Sequence, residues 1–399
     1  MLHPRIFGAA LLLCGGMASA MAQTAPVYRI IDLGQINPST AYGTQGMAVS
    51  STGNYAVART LDDVTGASVA FSTVIGSNTL TPLVNVSVGG VQRKVEIAYG
   101  VNTSGTAVGA SYGSLNLYGA RPIAWDAQGQ ARQLELNAAS GNVGVANGIN
   151  NAGIIVGGVN SAAARRAQIW DANGNALSVA PDALGRNMSE ARAINDSGLV
   201  VGRGNDPANA ARNVAMVHDM NSGVTQEIVI GGAANGGQPS AVSNSGLVVG
   251  SMTMNQATVG AFMWSANAGL RVLTPLAGTT NFRATGVNDT GWVVGSSDLG
   301  GTSQPWLFDG SSTYALFSLV SNGASDGWDF SPPTDGPLPT FASAMSIAQD
   351  GTVVGTAIRN GAAHGYAMVL TTPVPEPQSL ALMLVGLACM GALGRRRQR

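Results

Sequence analysis

The sequence predicts an all-β fold, a seven-bladed β-propeller built from repeats of about 48 residues. Three observations lead there: one decapeptide recurs through the chain, a second strand pattern trails each copy, and the body opens with a strand that no repeat precedes. The decapeptide is clearest at Gly286-Val-Asn-Asp-Thr-Gly-Trp-Val-Val-Gly295. Its other copies run from Ala48 to Ala58, Gly100 to Gly109, Gly148 to Gly157, Ala193 to Gly202, Ala241 to Gly250 and Ser346 to Gly355. The turn glycines Gly53, Gly105, Gly153, Gly198, Gly246, Gly291 and Gly351 are separated by 52, 48, 45, 48, 45 and 60 residues.

Each copy reads as a hairpin. An apolar pair precedes Asn or Ser, and a short β-branched run such as Leu199-Val-Val201 follows the Gly. The residues between them bond their own backbone, and Gly accepts a positive φ. The second glycine, present in six of the seven copies, ends that strand and signals a bulge or close backbone approach of architectural origin. Beyond each hairpin comes a third strand, as in Pro122-Ile-Ala-Trp125, Ala167-Gln-Ile-Trp170, Ala215-Met-Val-His218 and Ala261-Phe-Met-Trp264. A turn and a fourth short strand complete most repeats. The seventh repeat stops at Leu370 without a fourth strand, whereas Val27 to Gly34 stands unmatched at the start. Pairing the two would close a ring and leave no sheet edge stranded. An open β-solenoid is the alternative fold.

The chain divides into residues 1–22, a body over 23–372, and a tail over 373–399. The first segment has a polar start at His3 and Arg5, an apolar stretch from Phe7 to Met17 and small residues at Ala18-Ser-Ala20 or Ala20-Met-Ala22, the pattern of a secretory signal peptide. In the tail, Val374-Pro-Glu-Pro377 precedes an apolar run and then Arg395, Arg396, Arg397, Gln398 and Arg399. Residues 378–394 are just long enough to cross a bilayer as a helix, and the arginines hold the end inside. Removing both ends takes away Cys14 and Cys389, so the body holds no disulfide and no thiol nucleophile. It also leaves 15 basic against 21 acidic residues if Glu376 stays with the body, with Lys94 the single lysine. Clustered Lys and Arg of the kind nucleic acid requires are not evident.

Two resemblances follow from these residues. The tail, with Pro375, Glu376, Pro377 and the Arg395 to Arg397 cluster, resembles the PEP-CTERM sorting signal of Gram-negative bacteria. That implies export, a transient inner-membrane anchor, cleavage near Pro375 to Pro377 by an exosortase-type protease after signal peptidase has acted, and an extracellular or matrix destination. The hairpin followed by Ala-Phe-x-Trp resembles the HAF repeat of bacterial extracellular proteins over Tyr28 to Leu370. The histidine that names that repeat is replaced here by Val69, Arg121, Arg166, Val214, Gly260, Gln304 and Tyr366.

Catalytic signals are sparse. His218 takes the place of a strand tryptophan, which suits packing, and His364 lies beside a similar strand. No metal-ligand spacing or nucleophile motif is present. Asp196, Asp289 and Asp350 sit in hairpin turns, but a hard cation asks for about six oxygens, so neither metal nor cofactor is expected. Asp326, Trp328 and Asp329 form a candidate ligand contact, an aromatic ring beside acids that could stack on a sugar; alternatively Gly327-Trp-Asp-Phe330 is the fourth strand of the sixth repeat. The expected function is non-catalytic: a binding or structural component of the cell surface or exopolysaccharide matrix. A glycan-active hydrolase or lyase is the alternative, and it requires acids from at least two blades to converge.

Overall fold

The computed structural model describes residues 25–37, 41–62, 67–84, 86–88, 91–93, 95–113, 119–136, 143–160, 164–231, 236–254, 258–329 and 343–371. Residues 1–22, expected to be a signal peptide, together with Cys14, Pro332 to Pro339, Cys389 and the whole sorting tail, lie outside them. Among the described residues the regular structure is strand, broken by two short 3-10 turns at Leu316–Leu319 and Ala324–Asp326.

The hairpin motif accounts for the architecture. Repeats three to six each form a separate four-stranded antiparallel sheet, for example Met188–Ile194, Leu199–Asp206, Asn209–Asp219 and Val224–Glu227 in the fourth. Repeats one, two and seven make similar antiparallel runs within one thirteen-stranded sheet. Among the described residues these runs are joined into one sheet through the single parallel pairings Gly43 to Ala363 and Ser68 to Val95. In the last run the fourth strand comes from the other end of the chain: Tyr28–Asp32 pairs antiparallel with Ala362–Leu370, Tyr28 opposite Leu370 and Ile30 opposite Met368. The first strands of successive repeats touch in cyclic order, and the strand Ala41–Val49 meets both Val95–Val101 and Ser343–Ile347, so the series returns on itself. This is a propeller-like arrangement.

Every turn glycine of the motif takes a positive φ, from 76° at Gly53 to 85° at Gly351. The second glycine has a different cause. Each first strand carries a bulge at the same motif position, such as Ala98/Gly100, Ala146/Gly148 and Ala191/Ala193. A Cβ added at Gly157 would lie 2.0 Å from the Val145 carbonyl oxygen, and at Gly109 1.9 Å from that of Ile97. The bulge drives a carbonyl onto its partner strand, where only a glycine leaves room. In the first repeat the pair is exchanged: Ala58 faces Gly46, where the other repeats put Gly on the second strand.

The core is a succession of interfaces between neighbouring sheets. Val108, Ala124 and Leu134 of the second repeat meet Ala146, Ile155 and Trp170 of the third. Val201, Val217 and Ile228 meet Val248 and Phe262. Where the chain ends come together, Tyr28 and Ile30 pack with Leu307, Tyr366 and Met368. Alternation along the strands sends one side chain row to each neighbour, which is why runs such as Leu199-Val-Val201 are apolar on both faces.

Candidate functional site

The seven first strands surround a cavity of about 340 Å³ on the ring axis. At one mouth lie the motif turns, and their side chains form a circumferential hydrogen-bonded belt. The third motif residue does two jobs. Asn150 Oδ1 accepts from the Ile154 amide (2.9 Å), while its Nδ2 donates to the Asn195 carbonyl of the next repeat (3.1 Å). Asn102 reaches Asn150 in the same way, Asn195 reaches Ser243, and Asn288 reaches Ala348. The fourth motif residue accepts from the backbone of the preceding repeat: Asn151 N donates to Asp196 Oδ1 (2.8 Å), Asp196 N to Asn244 Oδ1 (2.9 Å) and Asp289 N to Gln349 Oε1 (2.8 Å). The sequence pattern places these residues in local turns; in the structure their side chains also join one sheet to the next.

Asp196 and Asp289 are therefore engaged in the belt. Asp196 Oδ2 also accepts from Asn151 and Asn244 side chains, Asp289 Oδ1 from the Ser245 amide, and Asp350 is bonded to Thr352. No group of three metal-ligating side chains occurs among the described residues.

The cavity wall is set by the bulges. The extra residue of each one, Met47, Tyr99, Asn147, Arg192, Ser240, Thr285 or Met345, lines the cavity. A bulge re-aims a side chain, and here it gives seven positions whose chemistry varies freely around a constant frame. Met47, Thr285 and Met345 make one side uncharged; Tyr99, Asn147 and Arg192 make the other polar and cationic.

Behind Arg192 stands Glu190. Its carboxylate receives Arg165 (3.1 Å), Arg192 (3.2 Å) and Arg203 (3.1 Å), and Asn147 Nδ2 at 3.3 Å. Burial pushes this carboxyl up, but the Arg192, Arg165 and Arg203 charges outweigh it and hold the group below its ordinary value. Tyr99 and Tyr112 share a hydrogen bond between hydroxyls at 3.0 Å.

Glu96, at the start of the same strand as Tyr99, behaves in the opposite way. It is fully buried, takes one bond from Ser111 Oγ at 2.8 Å, and leaves Oε2 without a hydrogen-bond partner. Burial pushes it from 4.5 up to about 8, only partly opposed by Ser111 and Arg93. Folding therefore favours its protonated form: the stabilisation is complete below pH 4.5 and is lost as pH rises through about 8. Glu96→Gln is expected to raise the melting temperature at pH 8 and leave it nearly unchanged at pH 4. An equal shift at both pH values would show that charge is not the cause.

The sequence-predicted contact of Trp328, Asp326 and Asp329 is corrected in two respects. Trp328 is only 6 % exposed, with Arg359 over its ring at 5.6 Å and the edges of His364 and Tyr366 against it, so it offers no open face to a sugar. Nor is it the fourth strand of the sixth repeat, which is Thr313–Ala315; Trp328–Asp329 pairs beside Val353–Arg359 instead. Asp326 and Asp329 are exposed, away from the axial cavity. His364 Nδ1 meets Asp32 Oδ2 at 2.9 Å, and Arg359 bonds the same oxygen, fixing the N-terminal strand. His218 is buried, pairs with Thr225 Oγ1 at 2.9 Å and has its basicity lowered by burial. Thr225 in turn donates to the Ala180 carbonyl, as Trp125 and Trp170 donate to Val84 and Glu135. Thr225, held by the histidine, thus makes the inter-sheet bond that the tryptophans make elsewhere.

Comparison with solved structures agrees on the fold. The chain is similar to an oligogalacturonate lyase in complex with manganese (10 % identity, TM-score 0.55, 88 % of this chain and 97 % of that one). It is also similar to the GH74 xyloglucanase from Xanthomonas campestris (12 % identity, TM-score 0.51, 88 % and 55 %). A further likeness is to TolB from Acinetobacter baumannii (9 % identity, TM-score 0.43, 68 % and 62 %). The chain spans about half the length of the xyloglucanase and under two thirds of TolB. No curated protein matches the chain. Residues 373–398 match the model of the PEP-CTERM protein-sorting motif, which implies export and handling by exosortase-type machinery on the way to the cell surface.

Proposed function

We propose that the chain is an exported seven-bladed propeller of the HAF-repeat kind, released from its tail near Pro375 to Pro377, that serves as a non-catalytic binding or structural component of the cell surface or exopolysaccharide matrix. The sorting motif over residues 373–398 carries this reading. In it, residues 378–394 form the temporary membrane span, and Arg395, Arg396 and Arg397 mark its cytoplasmic end.

The axial cavity supports binding rather than bond cleavage. Asp196 is the one carboxylate among the described residues that line it, and its oxygens already accept from Asn151 and Asn244. Glycoside hydrolysis asks for two acids a fixed distance apart, and Glu190 is committed to three arginines. The purified body, residues 23–372, is expected to be retained by extracellular matrix from the native host and to release no new reducing or unsaturated sugar ends from it. Loss of retention contradicts the reading, and steady product release replaces it with the hydrolase or lyase alternative.

A further inference from the structure

We infer that the Tyr99, Asn147 and Arg192 side of the axial cavity is a binding site for a uronic acid residue of an acidic glycan. The inference deepens the matrix-binding reading by naming the chemical class of its ligand.

Tyr99, Asn147 and Arg192 occupy the same bulge position in three successive repeats, and all line the cavity. The guanidinium side chain of Arg192 keeps 41 % of its exposure, those of Arg165 and Arg203 31 % each, whereas the Glu190 they share is 9 % exposed. One carboxylate thus holds three guanidinium groups in place while neutralising only one of them. Across the cavity, Met345, Met47 and Thr285 contribute no charge.

Of these arginines Arg192 lines the cavity, and the one acid beside it in the lining, Asp196, is already held by Asn151 and Asn244; Glu190, itself held by Asn147, fixes Arg192 before any ligand arrives. A guanidinium presents paired donors that match a carboxylate, and does so with more geometric specificity than an ammonium. The Tyr99 ring and hydroxyl suit the apolar face and hydroxyl edge of a pyranose, and Asn147, whose Nδ2 already donates to Glu190 and the Ala191 carbonyl, offers its Oδ1 as an acceptor for a sugar hydroxyl. A cavity of about 340 Å³ falls within the range of small-ligand sites. It accommodates a terminal residue or short end of a chain rather than a polymer threaded along its length.

The test is equilibrium binding of the body to a defined oligogalacturonate, with a neutral dextran oligomer and a DNA duplex of equal charge as competitors. Binding of the uronate, indifference to dextran, weak competition by DNA and a loss of about tenfold or more in Arg192→Gln are expected. Arg192→Lys should recover only part of the affinity. Because Arg192 is the most exposed of the three arginines, its variant is expected to melt with the wild type, and Tyr99→Phe gives a second variant that keeps the ring. Unchanged affinity in both variants, equal binding of dextran, or equal competition by DNA overturns the site. Retention by native matrix, read on the same proteins, separates the two proposals: retention of wild type and Arg192→Gln alike, with no uronate binding, removes the uronate site and leaves the matrix role standing. Uronate binding without retention removes the matrix role and leaves the site.

Discussion

Deleting Tyr28 to Asp32 is expected to abolish the cooperatively folded body. Among the described residues this strand is the sole antiparallel partner of the outer edge of Ala362–Leu370, and it buries Tyr28 and Ile30 almost completely. Burial of each such side chain contributes about 1.5–3 kcal/mol. Tyr28 also donates to the Gly351 carbonyl at 3.0 Å, and Asp32 receives both Arg359 and His364. The combined loss is comparable with the whole stability of a typical domain, about 5–15 kcal/mol, and the bared strand edge invites association. Calorimetry and sedimentation of the truncated body should show a broad or absent transition with aggregates. The milder Ile30→Ala is expected to cost about 2–4 kcal/mol. A truncated body that stays monomeric and melts within a few degrees of the intact one would show that the chain ends do not fasten the ring.

The second large effect is expected at the glycine that ends the second strand of the motif. In Gly157→Ala the new methyl would sit 2.0 Å from the Val145 carbonyl oxygen and 3.0 Å from the Ala146 Cα, both backbone atoms in a strand that cannot withdraw without undoing its bulge. We expect a loss of about 3 kcal/mol or more, at the upper end of overpacking costs. Gly246→Ala is the contrasting case: φ is +81°, but nothing lies within 4 Å of the added Cβ. There the cost is the left-handed conformation alone, about 1–2 kcal/mol. Urea unfolding of the two variants should rank them in that order. The reverse order would mean that the bulge relaxes freely and does not hold the cavity-lining side chains in place.

The fold was legible because its determinants repeat. Turn glycines, β-branched runs and strand tryptophans recur in register, and the orphan strand Val27 to Gly34 pointed to the pairing that Tyr28–Asp32 makes with Ala362–Leu370. The candidate site was hidden for the same reason. Tyr99, Asn147 and Arg192 stand immediately before the motif, at the position where repeats differ most, and a search for recurring residues passes over them. Variation inside a constant frame was the available signal. Glu190 and its arginines were also out of reach, since Arg165, Arg192 and Arg203 come from three strands in two repeats and meet only once the sheets are side by side. Trp328 misled because acids and prolines around a tryptophan look like an exposed loop, whereas Arg359, His364 and Tyr366 enclose it across a gap of more than thirty residues.

The most direct measurement is the intact mass of the protein recovered separately from the extracellular matrix and the membranes of its native host. The account predicts a matrix species that lacks the signal peptide and ends near Pro375 to Pro377, with any attached group visible as added mass. A species that retains Arg399 and is found only in membranes would contradict it.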